Sequence, residues 1–289
     1  GIDILGESRG VLPSTEWKRT TYKKPEQQRW YSGETISLGI GQGYNSFTML
    51  QIAHAMGTVA NNGLKMKPHL VREVVDVETK ASTFVAKEPV AQLSLAPENL
   101  EIIKKGMIGV NIEGTSATSF VGAQYVSAGK TGTAQVFTVK QNEKYNASTI
   151  DERMRDHALF VAFAPADDPK VALAMVVENA GFGAQNAAPI ARRVFDFVIM
   201  GQYPSQEDIE AVQKGQATRP IGKPRTVASV PWPPKAAELT AEEPIVTASA
   251  AERAALAASS AAKPASAAVK PASAPSPSIV QKPLASSAR

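Results

Sequence analysis

Two apolar runs, His157–Ala164 and Val171–Val177, are separated by a short stretch built on Pro165-Ala-Asp-Asp-Pro169. Short apolar runs joined by five residues of turn-forming type predict a β-hairpin. A hairpin must cover its apolar faces, which requires more strands and helices around it. The spacing of Ile190, Val194, Phe197 and Val198 predicts a helix over Ala188–Met200 that faces the sheet. A third strand is expected around Lys130. Three antiparallel strands followed by a closing helix give an α+β class, an antiparallel sheet with helices packed on it.

Upstream, Thr48 to Gly63 carries the clearest helical pattern. Thr48 and Gln51 form a capping box, Met49, Ile52, Met56 and Val59 an apolar stripe, and Asn62-Gly63 a left-handed stop. A strand is expected from Leu70 to Val77. A second helix is expected from Pro97 to about Asn111, with Leu100, Ile103, Met107 and Val110 on one side. Residues 1–38 read as ordered loop anchored by Trp17, Tyr22, Trp30 and Tyr31, and residues 113–119 as loop. The polar stretch after the Lys130 strand is long enough for a lid or insertion.

Composition divides the chain in two. Residues 1–203 read as a globular unit, whereas 204–289 are rich in Ala, Pro, Ser and Lys, with repeats such as Lys263-Pro-Ala-Ser266 and Lys270-Pro-Ala-Ser273. Such a segment buries too little apolar surface to offset chain entropy, so a disordered tail is expected, with a transient helix at 250–258. The net charge of +4 comes from 31 basic and 27 acidic residues without basic blocks, which argues against nucleic acid. With no cysteine, disulfides and thiol chemistry are excluded. No run is long and apolar enough to span a bilayer. The first residue is Gly1 rather than Met, which reads as an incomplete record of a longer protein.

Several patterns compete for a functional reading. Gly39, Gly41 and Gly43 fit neither dinucleotide nor Walker loops and read as a tight turn before the Thr48 helix. His54, His69 and His157 lack metal-ligand spacing, so neither a metal nor a cofactor is expected. Asp151, Arg153, Arg155 and Asp156 read as a solvated charged connection, with a part in shaping a cleft as the alternative. The strongest signal is Lys130-Thr-Gly-Thr133. On a strand, Lys130 and Gly132 face one way, Thr131 and Thr133 the other. A side chain at 132 would obstruct an approaching backbone. Ser127-Ala-Gly-Lys130 and Ser260-Ala-Ala-Lys263 spell Ser-x-x-Lys, but that chemistry needs one helical turn between hydroxyl and amine. Neither position offers it, and no Ser-x-Asn occurs.

Lys130-Thr-Gly-Thr-Ala-Gln-Val-Phe137 resembles the third signature of penicillin-recognising serine acyl-transferases. Gly1-Ile-Asp-Ile-Leu-Gly-Glu7, Gly39-Ile-Gly-Gln-Gly-Tyr44, Ala60-Asn-Asn-Gly63, Arg155-Asp-His157 and Glu178-Asn-Ala-Gly-Phe-Gly183 extend the resemblance to the elongation-type class B penicillin-binding proteins, the penicillin-binding protein 2 family. The resemblance implies the C-terminal portion of a β-lactamase-like transpeptidase domain, without the half that bears the nucleophile. It implies a catalytic and substrate-binding strand of Lys130, Thr131, Gly132 and Thr133, with the Thr133 N–H as oxyanion donor. It also implies D-Ala-D-Ala stem peptides and β-lactams as ligands, an acyl-serine intermediate, and elongation-complex membrane proteins such as a glycosyltransferase as partners. A membrane anchor would lie upstream, at the periplasmic face of the inner membrane. The septal paralogue and a non-catalytic penicillin sensor are the competing readings.

Overall fold

The computed structural model describes residues 1–136, 145–147, 149–216 and 218–230. Where a loop was expected at the N-terminus, three short helices form: α1 (Thr15–Thr21), α2 (Pro25–Gln28) and α3 (Ser32–Gly39). Their starts explain them. The Ser14 hydroxyl accepts from the Trp17 N–H, Pro25 opens α2, and Glu34 accepts from the Tyr31 N–H. Each helix is too short to display an apolar period, so the sequence pattern misses it.

Helix α4 (Met49–Ala60) begins with the expected reciprocal Thr48–Gln51 capping box, at 3.0 and 3.1 Å. It stops where Asn62 and Gly63 take φ of 53° and 85°. Next come β1 (Leu64–Met66), β2 (Glu73–Val75), β3 (Ser82–Phe84) and β4 (Pro89–Gln92), paired as two-stranded ribbons β1–β4 and β2–β3. The strand expected over Leu70–Val77 is thus only β2. At its start the Leu70 N–H is drawn to the Asp3 carboxylate, and at its end Asp76 takes the Thr79 N–H into a turn.

Helix α5 (Pro97–Ile112) has the expected extent, with Leu100 buried and Met107 against the core but Ile103 exposed, and α6 (Ala117–Phe120) adds one turn inside the predicted loop. Strands β5 (Ala128–Ala134), β6 (His157–Ala164) and β7 (Val171–Val177) form an antiparallel sheet in the order β5-β6-β7. Helices α7 (Gly183–Asn186) and α8 (Ala188–Met200) follow. The chain then adds β8 (Gln202–Tyr203), α9 (Gln206–Gln213) and β9 (Arg225–Thr226).

Both faces of the sheet are covered. On one, Ala158, Phe160 and Ala162 of β6 meet Phe120 and the α8 residues Ala188, Ala191 and Phe195. On the other, Phe163 and Ala128 pack with Ala60, Met56 and Met107 from α4 and α5. Phe160, Phe163 and Phe195 are fully buried, each worth about 1.5–3 kcal/mol of transfer free energy. The face of α8 differs from the expected one. Ala188, Ala191, Arg192 and Phe195 are buried, while Ile190 and Val194 are partly exposed. Small alanines let the helix approach the sheet closely, and Phe195 fills the remaining space.

The boundary expected at residue 203 is corrected as well. Residues 204–216 and 218–230 fold back onto α8, where Arg193 grips the fully buried Asp208 of α9. Ser205 caps α9 by accepting from the Asp208 N–H at 2.9 Å. The repeats near 263–273, the helix at 250–258 and the centre of the expected lid lie outside the described residues.

Candidate functional site on the outer edge of the sheet

Strand β5 forms one border of the sheet, paired with β6 in a register that sets Lys130 opposite Val161 and Gly132 opposite Leu159. Its N-terminal half is held from behind by a buried polar cluster. The Asn111 amide donates to Ser127 Oγ at 2.8 Å and accepts from Ser116 Oγ at 2.6 Å, while Ser116 also reaches the Val110 carbonyl. Gly129 lies against the same cluster, where a Cβ would come within 2.5 Å of Phe160 Cζ. Ser127 is therefore a buried structural hydroxyl, 4% exposed, and not a free nucleophile.

The motif residues divide as strand alternation requires. Lys130 is exposed, and its ammonium donates to the Thr131 carbonyl at 2.7 Å. Thr131 Oγ1 sits 3.0 Å from Thr115 Oγ1, so its hydroxyl is engaged by the α5–α6 turn. The Thr133 carbonyl accepts from Gln42 Nε2 at 3.2 Å. In an antiparallel strand the N–H and C=O of one residue point to the same side. The Thr131 and Thr133 carbonyls both accept from side-chain ammonium or amide groups, of Lys130 and Gln42, so the backbone groups of these two residues face the border away from β6.

Gly132 has a second reason to lack a side chain: a Cβ there would meet Leu159 Cβ at 3.1 Å. Gly183 of α7 rests directly on this place. A Cβ on Gly183 would lie 2.1 Å from the Leu159 carbonyl and 2.6 Å from that of Gly132. Nothing in the spacing of the motif identifies Gly183, although it closes one of the stretches quoted for the family resemblance.

The same stretch meets Arg155-Asp-His157 at the start of β6. Asn179, at φ 56°, donates its side-chain amide to the Arg153 and Arg155 carbonyls, and its N–H to His157 Nδ1 at 2.9 Å. The Gly181 N–H reaches the Asp156 carbonyl. The charged connection is thus tied to the turn after β7. His54 and His69 each bond a nearby carbonyl, of Met66 and Val71. Among the described residues no group of three His, Asp or Glu is placed to hold a metal.

The turn carrying Gln42 is built for its position. Gly41 and Gly43 take φ of 79° and 72°, a region only glycine enters without strain. The Asn45 amide donates to the Leu38 and Gln42 carbonyls, and the Tyr44 hydroxyl donates to Glu34. Glu34 pairs with the buried ammonium of Lys18, which also lies 5.1 Å from the Tyr31 ring and 5.5 Å from the Tyr44 ring. Burial works against the charged Glu34 carboxylate, but Lys18, the Tyr31 N–H and the Tyr44 hydroxyl hold its pKa below the ordinary value. Burial and the Glu34 carboxylate push the Tyr44 phenol upward.

A family model for the penicillin binding protein transpeptidase domain matches residues 1–196. The chain belongs to that family. Among curated proteins it is 41% identical over 216 residues to the peptidoglycan D,D-transpeptidase MrdA of Haemophilus influenzae, covering 72% of this chain and 31% of the relative. To MrdA of Escherichia coli K12 it is 40% identical over 203 residues, covering 70% and 31%. The chain thus spans about a third of the length of these relatives. Among solved structures, Pseudomonas aeruginosa PBP2 in complex with WCK 5153 aligns with a TM-score of 0.54 at 38% identity, over 67% of this chain and 39% of the other. Helicobacter pylori PBP2 in complex with MreC aligns at 0.53 and 27% identity, over 70% and 33%. For a penicillin binding protein transpeptidase domain, the expected α+β sheet with helices on it is the observed architecture. Among the described residues no helix is long and apolar enough to cross a membrane.

Proposed function

We propose that these residues belong to a peptidoglycan D,D-transpeptidase of the elongation type, acting at the periplasmic face of the inner membrane. A serine hydroxyl attacks the carbonyl of the D-Ala-D-Ala bond, the terminal D-alanine leaves, and an acyl-serine forms. The amine of a neighbouring stem peptide then takes the acyl group and releases the serine. β-Lactams acylate the same hydroxyl. We assign the serine and its lysine to a part of the protein beyond these residues, because the described segments hold no helical Ser-x-x-Lys.

The chemistry assigned to β5 is recognition and charge stabilisation. The exposed Lys130 ammonium attracts the terminal carboxylate of the ligand, with the Thr133 hydroxyl as a second contact. The Thr133 N–H, on the unpaired border, donates to the oxygen that becomes negative in the transition state. Thr131 contributes its backbone, because its hydroxyl is engaged by Thr115. The observation that carries this reading is that border, with the exposed Lys130 cation beside the half-buried backbone of Thr131 and Thr133.

The names of the curated relatives favour an enzyme of the elongation type over the septal paralogue and over a non-catalytic sensor. The H. pylori complex with MreC supports membrane-associated elongation proteins as partners, and a glycosyltransferase completes the proposed set. The test uses the full-length protein. It should form a covalent adduct with a fluorescent penicillin and release D-alanine from a pentapeptide stem. A full-length protein that folds yet forms no adduct sinks the proposal.

A further inference from the structure

Gln42 stands apart from the Lys130–Thr133 motif by 91 residues from its partner, yet it touches that motif at the Thr133 carbonyl. The contact is not incidental to a mobile surface chain. Gln42 is partly buried, its carbonyl is held by Asn45, and the glycines on both sides adopt left-handed conformations. Behind the turn, Tyr44 is tied through Glu34 to the buried Lys18. The side chain is thus presented to β5 by a rigid support.

Thr133 is the residue whose backbone the proposed chemistry uses. Its carbonyl and its N–H lie in the two peptide planes that meet at its Cα, so holding the carbonyl limits the torsion on one side and steadies the stretch of β5 that carries the N–H. A carbonyl oxygen has two lone pairs, so the long 3.2 Å bond from Gln42 leaves one free for an N–H of an extended ligand. Resting on the transpeptidase reading above, we infer that Gln42 is a positioning residue. By fixing the Thr133 carbonyl it steadies this stretch of β5, so that the Thr133 N–H stays directed at the developing oxyanion.

A group that orients an oxyanion donor acts more in the transition state than in the bound complex. Its loss should therefore lower the acylation rate constant and leave the preceding dissociation constant nearly unchanged. The experiment uses the full-length protein with a fluorescent penicillin and stopped-flow separation of the two constants. Gln42→Ala and Gln42→Glu, which both lack the donor, should acylate about five- to tenfold more slowly, the size of one lost hydrogen bond. Gln42→Lys, which restores a donor of similar reach, should recover most of the rate. Melting temperatures of all three should stay near that of the wild type.

Wild-type rates in Gln42→Ala, or equal losses in the Glu and Lys variants, would overturn the inference and leave the transpeptidase reading intact. A loss confined to the dissociation constant would overturn it too. If the wild type itself forms no adduct, both readings fall together, which separates the two cases.

Discussion

Arg193 of α8 and Asp208 of α9 form a two-pronged ion pair, Nε to Oδ2 at 2.8 Å and Nη2 to Oδ1 at 2.6 Å, with Asp208 fully buried. Asp208 also accepts from the Ile221 N–H at 3.2 Å, so one carboxylate joins three parts of the C-terminal segment. Removing one partner of such a pair leaves the other charge buried and unpaired. Asp208→Ala in the full-length protein should cost about 3–5 kcal/mol, read by urea unfolding. An unchanged unfolding midpoint would mean that the segment after α8 adds nothing to the domain.

That ion pair also marks the limit of what composition could tell. The hairpin, the α4 capping box and the extent of α8 were legible because each is a local pattern of polarity and turn chemistry. The 204–230 region has a weak apolar signal, and it folds by burying a carboxylate against an arginine on another helix. No local pattern announces that. The buried face of α8 was misread for a related reason: Ala188 and Ala191 look neutral in a periodicity, yet their small size lets the helix sit on Phe160 and Ala162. In the site, Lys130 to Thr133 were legible from type and spacing. Gln42, Asn111 and Gly183 act through contacts distant in sequence, and only their positions in space reveal them.

Gly183→Ala should disturb β5 more than its single added methyl suggests. The new Cβ would overlap the carbonyls of Leu159 and Gly132, at 2.1 and 2.6 Å. Both are backbone atoms of paired strands and cannot swing aside as a flexible side chain would. Relief requires the strand pair or α7 to shift, at a cost of about 1–3 kcal/mol. The full-length variant should melt lower and react more slowly with a fluorescent penicillin. Normal values of both would show that α7 yields without moving β5.

Glu34 predicts a specific acid sensitivity. Its carboxyl has a lower pKa in the folded chain than its ordinary value of 4.5, despite burial, because Lys18, the Tyr31 N–H and Tyr44 favour the charged form. A depressed carboxylate pKa contributes stability that is complete above the unfolded value and lost as pH falls through the folded one. The contribution should therefore be full at neutral pH and vanish progressively below 4.5. In Glu34→Gln the melting temperature should lie below wild type at neutral pH, with the gap closing on acidification. A gap independent of pH would exclude the Lys18–Glu34 pair as its source.

Lys130→Ala should separate function from fold. The side chain is exposed and among the described residues its hydrogen bond goes to the neighbouring Thr131 carbonyl, so little packing is lost. The cation it removes faces the border where a ligand carboxylate would sit. Acylation of the full-length variant by penicillin should fall by about 10- to 100-fold, the scale of losing one charge-assisted contact to the ligand carboxylate. The melting temperature should move by no more than a surface substitution does. Wild-type acylation in a folded Lys130→Ala protein would remove this lysine from the site.

The 289-residue chain on its own should remain unlabelled by a fluorescent penicillin, even at long exposure. Acylation needs a hydroxyl activated by an amine one helical turn away. Ser127, three residues before Lys130, is the one textual match within the described residues. It enters an extended strand, is 4% exposed, and takes a hydrogen bond from Asn111. Opposite faces of that strand carry residues three apart, so the Lys130 ammonium points away from the Ser127 hydroxyl. Mass spectrometry decides the matter: an adduct on Ser127 would mean that β5 holds its own nucleophile, and the division of labour proposed for the strand would have to be abandoned.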